Sequence, residues 1–249
     1  MRILLSNDDG IHAPGLKALE KIAHALSDDV WIVAPELDQS GSSHSLTLRD
    51  PLRLREISEK KYALSGTPSD CVLFATNHLL KDHKPDLVLS GVNHGTNLAE
   101  DVTYSGTIAA AMEASMLNIP SIAISLEVES GHPAKWSTAE HHLPKLIKEL
   151  VNITFKQYVF MNINVPNLIA TSVKGVRITH QGRSYFKDEI QERVDPRGKK
   201  YYWIGGVKYG TGDINTDLEA VKGGYISVSP LSLDLTHSET VNTLRTIFK

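Results

Sequence analysis

Short apolar runs at residues 2–5, 30–34, 87–90 and 122–125 alternate along this chain with stretches at residues 16–26, 68–80 and 108–116 that carry helical patterning. Such an alternation reads as a parallel sheet wrapped by helices. The stretch 16–26 shows the pattern best: Leu16, Leu19, Ile22, Ala23 and Leu26 share one apolar face, while Lys17, Lys21 and His24 can face water. A second amphipathic run, 142–151, precedes a strand pattern at 158–163, which carries the α/β texture to about residue 165. Beyond Pro166 the texture becomes β-rich, with runs at 175–179 and 199–204 set off by Gly182, Asp195-Pro196-Arg197-Gly198 and Gly205-Gly206. Residues 225–228 read as a late strand and 241–248 as a short helix. The expected architecture is one domain over 1–249, with an α/β core at about 1–165 and a β-rich extension at about 166–249. Hairpins projecting from such a core serve either as subunit contacts or as a surface flap.

At 249 residues the chain is long enough to bury a large core. The formal net charge of -3 supplies no global basic field, so polymeric nucleic acid and anionic membrane surfaces are not expected partners. The single cysteine, Cys71, cannot form an intrachain disulfide, and its apolar helical setting predicts a small buried side chain. The sequence shows no charged leader with an apolar core and cleavage site, and no run long enough to span a bilayer, so the expected location is cytoplasmic.

Chemistry-bearing residues gather where the apolar runs end. The first run gives way to Ser6, Asn7, Asp8, Asp9 and Gly10. Ligands of open parallel sheets bind beyond the carboxyl ends of the strands. Two neighbouring carboxylates raise each other's proton affinity unless a cation or hydrogen-bond donors offset the repulsion. Asn-Asp-Asp-Gly also makes an ordinary turn, so the other strand ends must decide. The run 30–34 leads into a hydroxyl-rich loop holding Ser40, Gly41, Ser42, Ser43, His44 and Ser45. The run 87–90 leads into Gly91, Val92, Asn93, His94, Gly95, Thr96 and Asn97, where glycines permit close backbone approach and asparagines offer oxygens and amides. Finally Tyr104, Ser105, Gly106 and Thr107 open an Ala-rich helix whose start presents amides to anions, with Ser105 as a plain helix cap the alternative.

The segments MRILLSNDDGIHAPGL, QSGSSHSLTL, GTPSDCV, LVLSGVNHGTN and DVTYSGTIAAAMEA resemble the SurE family of metal-dependent 5'-nucleotidases acting on nucleoside monophosphates. The later DPRG, YYWIGG, TDLEAV and GYISVSPLSLDLT follow in family order, so the resemblance spans nearly the whole chain. It implies a Rossmann-like core and one divalent metal ion per subunit, held by Asp8, Asp9, Ser40 and Asn93. Such hard oxygen ligands suit magnesium or manganese. Asn97 and the Ser105-Gly106-Thr107 turn are assigned to positioning phosphate. The resemblance also implies a homodimer or homotetramer that exchanges C-terminal elements between subunits.

The expected reaction is hydrolysis of nucleoside 5'-monophosphates to nucleoside and phosphate, with 3'-monophosphates and short polyphosphate as further substrates to test. Asp8 is the candidate to orient or deprotonate the attacking water, although spacing does not separate it from Asp9. An Asp8 phosphoenzyme is the rival route; the Asp-x-Asp spacing that favours it is missing, since Gly10 occupies the second-acid position. A nucleotide-binding module without turnover is the alternative class, but the first turn lacks Gly-x-Gly-x-x-Gly and is acidic. An oligomeric interaction protein would leave all four loops unexplained. His12 and His44 stay open between a place beside the site and a structural one, and His94 is expected at the surface or behind the ligands. Residues 6–15, 39–45 and 91–107 contain neither lysine nor arginine, so metal, hydroxyls, amides and a positive helix end must hold the phosphate.

Overall fold

The first strand, β1 (Arg2–Ser6), is apolar on both sides, as a strand covered on two faces must be. Ile3 and Leu5 pack into one core cluster and Leu4 into another, and all three are fully buried. Each such burial contributes about 1.5–3 kcal/mol. The computed structural model describes residues 1–128, 131–153, 155–209 and 213–248, with backbone alone described for 184–189 and 205–209.

Around β1 the chain builds, in order, α1 (Pro14–His24), β2 (Asp29–Pro35), β3 (Leu54–Ser58), β4 (Lys61–Leu64), α2 (Pro68–Phe74), β5 (Leu87–His94), α3 (Gly106–Met116), β6 (Ser121–Leu126), α4 (Trp136–Leu150) and β7 (Val159–Val165). Then follow β8 (Val176–Ile178), β9 (Ser184–Val194), β10 (Lys200–Tyr209), α5 (Asp217–Lys222), β11 (Ile226–Ser232) and α6 (Ser238–Ile247). The main sheet runs β3-β4-β2-β1-β5-β6-β7-β11-β8. Within it β4, β2, β1, β5, β6 and β7 are mutually parallel. Their order is that of a doubly wound nucleotide fold, and the chain reverses direction across the sheet between β1 and β5. Helices cover both faces. Leu16, Leu19 and Ile22 of α1 join Leu143 and Ile147 of α4 on one side; Cys71 and Val72 of α2 join Ala110 and Ala114 of α3 on the other.

The parallel core expected from sequence is present, and antiparallel strands extend it at both ends. β3 and β4, unassigned from sequence, pair antiparallel because only Glu59 and Lys60 join them, with Lys60 at φ 57°. β11 runs antiparallel to β7 and carries β8 at its far side, so the β-rich extension contributes two strands to the core sheet. β9 and β10 form a separate two-stranded hairpin. The helix expected at 68–80 is α2 continued by a π-helical turn, Ala75–Leu79. β5 extends through Gly91 to His94, past the end that its glycine suggested, by way of a register shift between Ser90 and Asn93.

Candidate active site

At the end of β1 the chain leaves the sheet through Asn7, whose Nδ2 donates to the Gly10 carbonyl at 3.0 Å and closes the turn. The Gln39 amide donates to the Asp8 carbonyl at 2.8 Å, and the Ile11 amide to that of Pro35 at 2.8 Å, lashing the turn to the end of β2. Asp8 is only 4% exposed. Its Oδ1 accepts the Thr107 hydroxyl. Burial pushes its carboxyl above the ordinary carboxylate range, with the Asp38 charge acting in the same direction. Asp9 is half-buried, and its Oδ2 faces the His94 amide at 3.4 Å. Burial and the Asp8 charge push it up to about 6.

The serine-rich loop is bound on several sides. Ser40 donates its amide to Asp38 Oδ1 at 2.7 Å. The Ser43 amide donates to the Tyr104 carbonyl at 3.1 Å and its hydroxyl to that of Thr103 at 2.7 Å. His44 Nε2 lies 2.9 Å from Glu113 Oε2 on α3, which gives this histidine a structural tie. The GTPSDC motif serves the same loop: Asp70 accepts the Thr47 amide at 3.1 Å while closing a capping box with Thr67, whose hydroxyl donates to the Ser45 carbonyl at 2.7 Å.

From the other side come β5 and α3. Gly91, at φ 132°, leaves only 2.2 Å between an added Cβ and the Ile124 carbonyl, so no larger residue lets β5 turn here. Asn93 then donates Nδ2 to the Gly95 carbonyl at 2.9 Å, while its Oδ1 lies 3.3 Å from the Thr107 hydroxyl. Asn97 is buried: its Nδ2 donates to Ser125 Oγ at 2.8 Å, its amide to Asn164 Oδ1 at 2.8 Å, and its carbonyl accepts from Asn162 Nδ2 at 2.8 Å. Ser105 caps α3, accepting the Ile108 amide at 3.1 Å. An added Cβ on Gly106 would stand 2.7 Å from the Asp8 Cβ, so glycine is what brings the helix start against this carboxylate.

These elements enclose a cavity of about 750 Å³ lined by Asp8, Asp9, Ser40, Asn93, Asn97 and Ser105, among others. Thus the structure brings together six of the eight residues singled out from sequence. Gly106 abuts Asp8 from behind, and Thr107, fully buried, turns its hydroxyl to Asp8 and not into the cavity. His94 lines the cavity with its ring against Trp136, whereas His12 is exposed and does not line it. Asp101, Tyr104 and Ile204 also line the cavity. Sequence reading missed them as site residues, although all three stood within quoted motifs: Asp101 and Tyr104 in DVTYSGTIAAAMEA, and Ile204, on β10, in YYWIGG. Among the described residues no three histidine, cysteine or carboxylate side chains gather to hold a metal. The donor set at Asp8 and Asp9 is therefore two carboxylates with neutral oxygens from Ser40 and Asn93, which fits a hard divalent cation. Among the described lining residues there is no lysine or arginine to neutralise the pair.

The model of the family Survival protein SurE matches residues 3–188. The chain is 55% identical over 249 residues to the 5'-nucleotidase SurE of Paramagnetospirillum magneticum, covering 100% of this chain and 96% of that protein. It is 53% identical over 248 residues to the 5'-nucleotidase SurE of Parvibaculum lavamentivorans, covering 98% and 90%. The crystal structure of the SurE protein from Aquifex aeolicus superposes with a TM-score of 0.87 at 39% identity, covering 100% of both chains. On the family match and these identities, the chain belongs to the SurE family.

Proposed function

We propose that this protein is a divalent-cation-dependent 5'-nucleotidase, an enzyme that hydrolyses nucleoside 5'-monophosphates to nucleoside and inorganic phosphate. The observation that carries the reading is the pair of adjacent carboxylates, Asp8 and Asp9, lining a roomy cavity at the point where the sheet order reverses. Family membership and the relatives' name, 5'-nucleotidase SurE, support the reaction class.

Asp8, Asp9, Ser40 and Asn93 would hold one magnesium or manganese ion. When bound, such an ion supplies charge neutralisation and Lewis acidity toward a phosphoryl oxygen and a water. Asp8 has Oδ1 fixed by Thr107, which leaves Oδ2 to orient the attacking water and take its proton. Ser105 and the positive end of α3, which begins at Gly106, receive the phosphate. Asn97 shapes the wall beside them, since its side-chain amide is already engaged by Ser125. The nucleoside lies toward Tyr104 and Ile204, the apolar part of the rim.

Exposed Trp203, Ile204, Leu244 and Ile247 on the hairpin and α6 support assembly into a homodimer or homotetramer through the extension. The acidic cavity and the net charge of -3 argue against polymeric nucleic acid as a substrate. Among the described residues no helix is long and apolar enough to cross a membrane, which is compatible with work in the cytoplasm. The test is phosphate release from a panel of 5'-monophosphates, 3'-monophosphates and short polyphosphate, with manganese and with chelator. Release from 5'-monophosphates that needs the metal is the expected result. Nucleotide bound without any release would leave a binding module in its place.

A further inference from the structure

We propose that Asp217 and Gln181, both in the β-rich extension, are positioning residues that grip the two backbone polar atoms of Ala99 and so hold segment 97–105 in the shape that lines the cavity. This rests on the functional reading above only for the kinetic part of its test.

Ala99 is a non-glycine residue at φ 49°, in the left-handed region, and it is fully buried. Such a backbone persists only where its surroundings determine it. Its amide donates to Asp217 Oδ2 at 2.9 Å, and its carbonyl accepts from Gln181 Nε2 at 2.7 Å. Both partners lie far along the chain. Asp217 is itself held by two further amides, those of Gly182 at 2.7 Å and Leu218 at 2.9 Å, both on Oδ1. A buried carboxylate that accepts three backbone amides is a rigid anchor. The contact is close: an added Cβ at Gly182 would stand 2.9 Å from Asp217 Oδ1 and 2.8 Å from Leu218 Cδ1. Leu98, Ala99's neighbour in the chain, together with Ala99, Leu218 and Val221 forms a small apolar cluster.

The gripped residue stands between groups that face the cavity. Asn97 precedes it and is fixed from the core by Ser125, Asn162 and Asn164. Asp101, Tyr104 and Ser105 follow it, and all of them line the cavity. The segment is thus pinned at Asn97 by the sheet and at Ala99 by the extension. Without the second grip, the short helical turn Ala99–Thr103 loses its long-range hydrogen bonds at Ala99, so the wall it forms is held less firmly at that end, while Ser43 still ties Thr103 and Tyr104.

Hydrogen exchange and steady-state kinetics on Asp217→Ala, Asp217→Asn and Gln181→Ala test this. In Asp217→Ala, amides of residues 97–105 should exchange about tenfold faster while those of β1 and β5 stay unchanged. With a nucleoside monophosphate, KM should rise about fivefold or more with a smaller change in kcat, because substrate placement is loosened. Asp217→Asn, which keeps one acceptor oxygen, should recover part of both effects. Gln181→Ala, on an exposed side chain, should give the same pattern at smaller size and decides the matter if Asp217→Ala fails to fold. Unchanged exchange at 97–105 in Gln181→Ala and Asp217→Asn, or acceleration spread evenly over the molecule, would overturn the proposal. A wild-type protein without nucleotidase activity would sink the functional reading alone, since the exchange pattern tests the grip independently.

Discussion

Asp8 and Asp9 stand side by side at the end of β1, with the Asp38 charge adding to the repulsion on both. Asp9 has a pKa near 6 in the folded chain, above its ordinary 3.8, so the folded chain holds this proton more tightly than the unfolded chain. Metal-free stability should therefore fall as pH rises from about 4 to about 6 and stay low above that, with Asp8 acting in the same direction. The full shift corresponds to about 3 kcal/mol, which solvent around Asp9 reduces to about 1–2 kcal/mol. Asp9→Asn should raise metal-free stability at pH 8 by about that amount while abolishing most turnover. Denaturant melts in chelator beside phosphate-release assays check both, and full activity in Asp8→Asn and Asp9→Asn would remove them from the site. Thr107 offers a finer test. Thr107→Val keeps the shape and removes the donor to Asp8, so kcat should fall about 10–100-fold with a near-normal melting temperature.

At the scale of elements, α6 has no buried residue, and its apolar Leu244 and Ile247 are exposed. Removing the residues after Leu235 should weaken assembly more than it disturbs the sheet; light scattering reads the first and thermal melting the second. An unchanged assembly would show that the tail is not a main subunit contact. The strands and helices that build the site were legible because their periodicities are local. β1, α1, β2 and α3 each declare themselves within a dozen residues, and their ends carry Asp8, Ser40 and Gly106. β3 and β4 were not legible: they lie at the sheet edge, where β3 is largely exposed and shows no apolar alternation. The far end of β5 was hidden by Gly91, which signals a break but here marks a register shift. Thr107 was named for phosphate, yet its hydroxyl meets Asp8, ninety-nine residues away in sequence. The same distance problem hid the grip on Ala99, since nothing local in TDLEAV points to a loop more than a hundred residues earlier.

For the molecule as a whole, the order of the six parallel strands matters most, because it places the ends of β1 and β5 side by side where the chain reverses. Asp8, Asp9 and Asn93 meet there, and the serine loop after β2 and the start of α3 close the remaining sides. The cavity so formed has carboxylates and neutral oxygens but no lysine or arginine among its described lining residues. A phosphate dianion cannot settle beside two ionised aspartates without a cation between them. Phosphate binding in this protein should therefore depend on the metal, and calorimetric titration of inorganic phosphate into the protein with and without manganese measures that dependence directly. The expected result is binding with manganese and none detectable in chelator. Binding of similar strength in both would contradict the account and turn attention to a basic residue delivered from the extension, with Arg183, Arg193 and Arg197 the first to replace.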